Sequence, residues 1–150
     1  VLIREVSRDG FKFYTNLGSR KAREIEQNSK MSLCFHWKSI AKQIRVEGHA
    51  ELVSDAVADA YFAGRPRESQ LGAWASQQSQ TLASRSKLEA DFHDFERQFE
   101  EQEVPRPSFW SGYQLVPNRF EFWDKREHRL HDRRNFEKVD NQWRHELLYP

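Results

Sequence analysis

The chain has 150 residues and a formal net charge of +1, with one cysteine and an aromatic load of five Trp, four Tyr and eleven Phe. That length suits a single domain with a sizeable core, while near-neutrality excludes nucleic-acid binding through bulk charge and confines any anion site to local clusters. A lone Cys34 excludes a disulfide framework and a cysteine-rich zinc site, which points to a reducing, cytoplasmic setting; no apolar run reaches membrane length, and the residues from Val1 onward do not read as a signal peptide.

Val1–Arg4 and Phe11–Thr15 read as strands around Arg8-Asp9-Gly10, a hairpin signal. Because the chain opens at Val1 directly into a strand, a further N-terminal segment of the natural protein is expected before it. Ser19 is placed to cap a helix running to about Asn28. The helix start, Arg20 and Lys21 together suit a phosphate, although a capped surface helix with solvated charges has the same pattern.

Met31–Trp37 and Gln43–Val53 predict two more strands, with Cys34 expected to be a small buried residue and Gln43 offering a donor and an acceptor at a strand entrance. Ser54 caps a helix over Asp55–Ala63 that Gly64-Arg65-Pro66 stops. Tyr61, Arg65 and Ser69 are spaced by four and would share a face of a continuous helix, a second anion site or helix-end solvation, with Pro66 disturbing the regularity. A polar loop follows at Ser76–Gln80. Leu88, Phe92, Phe95 and Phe99 then form a helical core stripe within about Ser84–Gln102.

The remainder reads as a meander of Tyr113–Pro117, Arg119–Trp123, Glu127–Arg134 and Gln142–Leu148, turning at Val139-Asp140-Asn141. On a strand over Glu127–Arg134, the side chains of Arg129, His131 and Arg133 would share one face, a cationic comb for a planar anion or the protective charges of an edge strand. His128 and His131 would point to opposite faces, so metal binding is not expected. Neither a P-loop, a G-x-G-x-x-G, a zinc-protease motif nor a nucleophile elbow is present. Strands dominate, so the expected fold is mainly β with peripheral helices, a small antiparallel barrel forming one domain.

Phe13-Tyr14-Thr15-Asn16-Leu17-Gly18-Ser19-Arg20-Lys21, Arg65-Pro66-Arg67-Glu68-Ser69-Gln70-Leu71-Gly72-Ala73-Trp74, and Phe122-Trp123 through Glu127–Arg133 resemble, in order, the pyridoxine/pyridoxamine 5′-phosphate oxidase family, as does the terminal Leu147–Pro150. The resemblance implies an FMN-binding split barrel working as a homodimer with flavin at the subunit interface. It also implies oxidation of pyridoxamine or pyridoxine 5′-phosphate to pyridoxal 5′-phosphate, with dioxygen reduced to hydrogen peroxide. By position, Arg20 and Lys21 would meet the FMN phosphate, with Val1, Leu2, Ile3, Arg4, Tyr14, Thr15, Gln43, Gln78, Ser79, Trp123 and Arg133 as further flavin contacts. Tyr61, Arg65 and Ser69 would hold the substrate phosphate, and Arg129 and His131 the pyridine ring and its chemistry, with Arg4 touching both ligands. Arg4 stands where the family usually has Lys, which changes a point charge into a bulkier planar fork. Other readings of the same pocket are a split-barrel flavin reductase or flavin carrier, and a pyridoxal-phosphate-binding protein with poor turnover.

Overall fold

The computed structural model describes residues 1–150. Seven strands and four helices follow in the order β1 (Glu5–Ser7), β2 (Gly10–Asn16), α1 (Arg20–Gln27), β3 (Lys30–Trp37), β4 (Lys42–Leu52), α2 (Asp55–Ala63), α3 (Arg67–Ala75), α4 (Arg85–Gln98), β5 (Trp110–Asp124), β6 (Asp132–Val139) and β7 (Gln142–Leu147). The strands make one sheet ordered β1-β2-β5-β4-β3, with β6 on β5 and β7 on β6. The β3/β4, β5/β6 and β6/β7 pairs are antiparallel. No helix is long and apolar enough to cross a membrane.

Contacts divide the chain into two compact units. The first comprises Val1–Glu5, Lys12–Asn28 and Leu52–Gln114, the second Val6–Phe11, Ser29–Glu51 and Leu115–Pro150. In the first, Phe62 and Leu71 from α2 and α3 pack with Phe99, Val104 and Trp110, and Phe92 and Phe95 of α4 lie partly buried against them. Each large apolar side chain fully removed from water here contributes about 1.5–3 kcal/mol. In the second, buried Leu33, Val46 and Leu115 are joined by ring contacts of Phe11 with Phe35 and Phe120.

Local chemistry sets the helix bounds. The Ser19, Ser54 and Ser84 hydroxyls accept from the backbone N–H of Ala22, Val57 and Lys87, so each helix starts where a side chain satisfies an otherwise orphaned donor. Helix α2 stops at Gly64, and α3 starts after Pro66, whose fixed φ fits a helix entrance. The helix break places Arg65 between two helices and Ser69 on the second, so these residues do not form the single helical face the spacing suggested. Helix α4 ends at Gln98, four residues short of expectation, because Phe99 closes it with its N–H on the Phe95 carbonyl and Glu101 is left-handed.

Several other expectations are corrected. Val1–Arg4 is not a strand; its tie to β2 is the Arg4 N–H donating to the Lys12 carbonyl, and pairing begins at Glu5. The β1/β2 turn closes on Gly10 at φ 139°, where a Cβ would stand 2.0 Å from the Leu115 carbonyl oxygen, so only glycine fits. The expected pair Tyr113–Pro117 and Arg119–Trp123 is one fifteen-residue strand, since a proline removes one ladder donor without forcing a turn. Cys34 is exposed: period-two alternation buries Leu33, and Cys34 faces outward opposite Arg45.

Glu127–Arg134 is not the single strand its alternation suggested; β6 begins only at Asp132. The β5/β6 ladder runs out at Asp124↔Asp132, so the segment between has no strand to pair with. It makes a 3-10 turn at Glu127–Arg129, with His128 and Arg129 at φ 54° and 62°. Arg129 therefore leaves the strand, and the three-tooth comb does not form.

Candidate active site

In the first unit, β2 runs into the Ser19-capped helix α1, and Asn16 pins this corner, its Oδ1 accepting from Gly18 N–H and its Nδ2 donating to the Ser76 carbonyl. That bond brings the Ser76–Gln80 loop to the strand end. Thr15, Lys21 and Gln78 then close a triangle: Lys21 Nζ donates to Thr15 Oγ1 at 3.0 Å and to Gln78 Oε1 at 2.6 Å, and Thr15 Oγ1 donates to Gln78 Oε1 at 2.8 Å. No carboxylate partners Lys21, and burial pulls its pKa below the ordinary lysine value. A cation that is partly desolvated and neutralised only by dipoles is suited to an incoming anion. Ser79, next to Gln78, is exposed and left-handed at φ 72°. Arg20 stands outside the triangle; its Nε is bonded to Glu24 at 2.8 Å, its side chain is 80% exposed, and that bond raises its pKa.

Tyr14, Tyr61 and Trp110 form the second feature of this unit. The Tyr14 and Tyr61 rings stack 3.7 Å apart at 3°, and Trp110 is nearly parallel to both, at 5.5 Å and 6.2 Å. Gly112 makes room for Tyr14, since a Cβ there would lie 2.7 Å from its ring carbons. Burial raises the Tyr14 pKa, helped by Glu5 and Tyr61. The Arg65 guanidinium lies 4.7 Å from the Trp110 ring centroid and 5.5 Å from that of Phe62, and its buried Nη1 has no hydrogen-bond partner. Desolvation lowers the Arg65 pKa; Tyr61 opposes this and like-charged Arg4 adds to it. Ser69 is half-buried on the first turn of α3, Ile3 is half-buried, and Val1, Leu2 and Arg4 are exposed.

The second unit holds the remaining expected residues. Trp123 and Arg133 are direct cross-strand partners on β5 and β6, and His131 packs on the Trp123 ring at 4.6 Å. The Arg126 N–H donates to His131 Nδ1, which puts the proton of the neutral ring on Nε2. Arg133 is held at both ends of its guanidinium, Nε donating to Glu121 Oε1 at 2.8 Å and Nη1 to the Tyr149 carbonyl at 2.9 Å. Arg129 is exposed on its turn, and Gln43 is half-buried at the start of β4, opposite His36. Two residues were not foreseen. Trp110 lies in a proline-interrupted segment with no periodic signal, and Glu121, 5% exposed, reads in sequence as an ordinary alternating carboxylate until the β5/β6 register puts it beside Arg133.

The family model described as pyridoxamine 5′-phosphate oxidase matches residues 2–99, and that of the pyridoxine 5′-phosphate oxidase C-terminal dimerisation region matches 110–150. The chain belongs to the pyridoxamine 5′-phosphate oxidase family. Relatives named pyridoxine/pyridoxamine 5′-phosphate oxidase include that of Zymomonas mobilis, 50% identical over all of this chain and 78% of that protein, and that of Myxococcus xanthus, 51% identical over all of this chain and 73% of that one. Among solved structures, PhzG from Burkholderia lata, in complex with tetrahydrophenazine-1-carboxylic acid, superposes with a TM-score of 0.92 at 30% identity, covering 99% of this chain and 72% of that one. A pyridoxamine 5′-phosphate oxidase-related FMN-binding protein from Nostoc punctiforme superposes at 0.77 over 99% of this chain and 78% of that one; at 17% identity that likeness speaks for the fold alone. The fold is the antiparallel split barrel of this oxidase family.

Proposed function

We propose that this family member is an FMN-dependent enzyme that oxidises pyridoxamine or pyridoxine 5′-phosphate to pyridoxal 5′-phosphate, hands the electrons to dioxygen with release of hydrogen peroxide, and works as a homodimer. The observation that carries this reading is that Lys21 and Arg65 are two separate, partly desolvated cations, neither with a carboxylate partner. A reaction joining a phosphorylated cofactor to a phosphorylated substrate needs two such grips. The names of the relatives and the matched dimerisation region support it.

The residues fit FMN. Lys21, Thr15 and Gln78 provide a cation and dipoles at a helix entrance for its phosphate. The resemblance adds Val1, Leu2, Ile3, Arg4, Tyr14, Arg20, Gln43, Ser79, Trp123 and Arg133 as further contacts. When bound, FMN supplies the two-electron acceptor, chemistry that no side chain of the protein can supply. Tyr61, Arg65 and Ser69 hold the substrate phosphate, and binding energy gathered there orients the ring. His131, with Nε2–H free to donate, holds a proton at the pyridine ring, and Arg129 sets a positive charge against its phenolate oxygen.

Oxygen consumption and peroxide release by the FMN-loaded protein test this reading with each vitamer phosphate and with NADH. Peroxide on adding pyridoxamine 5′-phosphate but not NADH is the expected result. NADH-driven turnover alone would make it a flavin reductase, and phosphate-vitamer binding without turnover a binding protein.

A further inference from the structure

Arg65 is a half-buried cation with an unusual setting. Its Nη1 is shielded from solvent and makes no hydrogen bond, no carboxylate neutralises it, and Arg4 adds like charge. What faces the guanidinium is aromatic: the Trp110 indole at 4.7 Å and the Phe62 ring at 5.5 Å. Trp110 is itself 7% exposed, meets Phe62 edge-on at 5.1 Å, and lies nearly parallel to the Tyr14–Tyr61 stack. An aromatic face attracts a planar cation through its quadrupole but accepts no hydrogen bond in the guanidinium plane. A carboxylate in the same place would occupy the fork and cancel the charge.

We propose that Trp110 is a positioning residue of the phosphate subsite, its indole face holding Arg65 in place of a counter-ion so that the guanidinium fork and its charge stay available to an incoming phosphate. This rests on the assignment of Tyr61, Arg65 and Ser69 to the substrate phosphate. The same ring orders Tyr61 through the stack, so one residue sets the pose of the two that grip the phosphate. Loss of the platform weakens phosphate binding and leaves the chemical step intact.

The test uses FMN-loaded protein, in which the cofactor's own phosphate site is filled. Inorganic phosphate binding is measured by calorimetry, beside KM and kcat for pyridoxamine 5′-phosphate, in wild type, Trp110→Leu and Trp110→Phe. A cation–π contact of ordinary strength predicts that leucine raises both the phosphate Kd and KM about tenfold at unchanged kcat, each read on FMN-saturated protein. Phenylalanine, a smaller ring with a weaker face, raises them about two- to threefold and is the variant that decides if leucine prevents folding. Wild-type phosphate affinity in each variant that folds and loads FMN overturns the proposal, as does a fall in kcat at unchanged KM. If wild type binds phosphate through Arg65, with Trp110 dependence, yet oxidises no vitamer phosphate, the assignment of Trp110 stands and the proposed reaction falls. If oxidation proceeds while the variants bind phosphate as wild type does, the reverse holds.

Discussion

Arg20 and Lys21 are neighbours on one helix, yet the first turns outward to Glu24 and the second turns inward to Thr15 and Gln78. Successive helical residues point about 100° apart, and nothing in the sequence says which of two adjacent cations takes the inner position. Lys21→Ala should therefore weaken FMN binding on the order of ten- to a hundredfold, the range for losing a charged hydrogen bond, and Arg20→Ala by much less; fluorescence titration of FMN against each apoprotein checks the ranking. Arg129→Ala should depress vitamer-phosphate oxidation while FMN stays bound, which a turnover assay with a flavin absorbance reading decides. Other residues were legible beforehand. The Ser19 and Ser54 caps act within three residues of themselves, so local sequence suffices. The exposure of Cys34 was not legible, because it depends on which face of β3 meets the core.

At the scale of elements, two glycines in the first unit separate packing from propensity. A Cβ at Gly72, inside α3, would meet nothing within 4 Å, so Gly72→Ala should stabilise the protein by about 0.5–1 kcal/mol through helix propensity. At Gly112 the same methyl would strike the Tyr14 ring at 2.7 Å. Gly112→Ala should displace the Tyr14–Tyr61 stack, destabilise the protein and weaken ligand binding. Thermal melts of both variants, read for opposite signs, are the check. The bounds of α1 and α2 and the β6/β7 turn at Asp140-Asn141 were legible from caps and turn residues, while the end of α4 and the whole of α3 were not. Nor was the Lys125–His131 turn, since its geometry follows from where the β5/β6 ladder stops, and that is a property of two strands and not of the segment itself.

At the scale of the molecule, Glu121 and Asp124 of the second unit tie stability to acid pH. Arg133's hydrogen bond pulls the Glu121 pKa below its ordinary 4.5 against the opposing effect of burial, and Arg45 and Arg119 add to the pull. Lys42, then Arg134, pull Asp124 below its ordinary 3.8. Both groups bind protons more readily unfolded than folded, so their stabilisation is complete above those ordinary values and drains away as pH falls through the lower folded ones. Urea midpoints should therefore hold between pH 7 and pH 5 and drop below about pH 4.5. Glu121→Gln should cost about 1–3 kcal/mol at neutral pH and flatten the acid limb. The other support of Arg133 has a different kind of consequence. It is the main-chain oxygen of Tyr149, whose side chain is 94% exposed, and the Leu148 N–H answers on the Arg133 carbonyl. A change of the Tyr149 side chain leaves both main-chain bonds in place, whereas a deletion of Leu148 and Tyr149 takes away the carbonyl that holds Arg133 and the N–H that answers it, so this stretch is read by its backbone and not by its side chain.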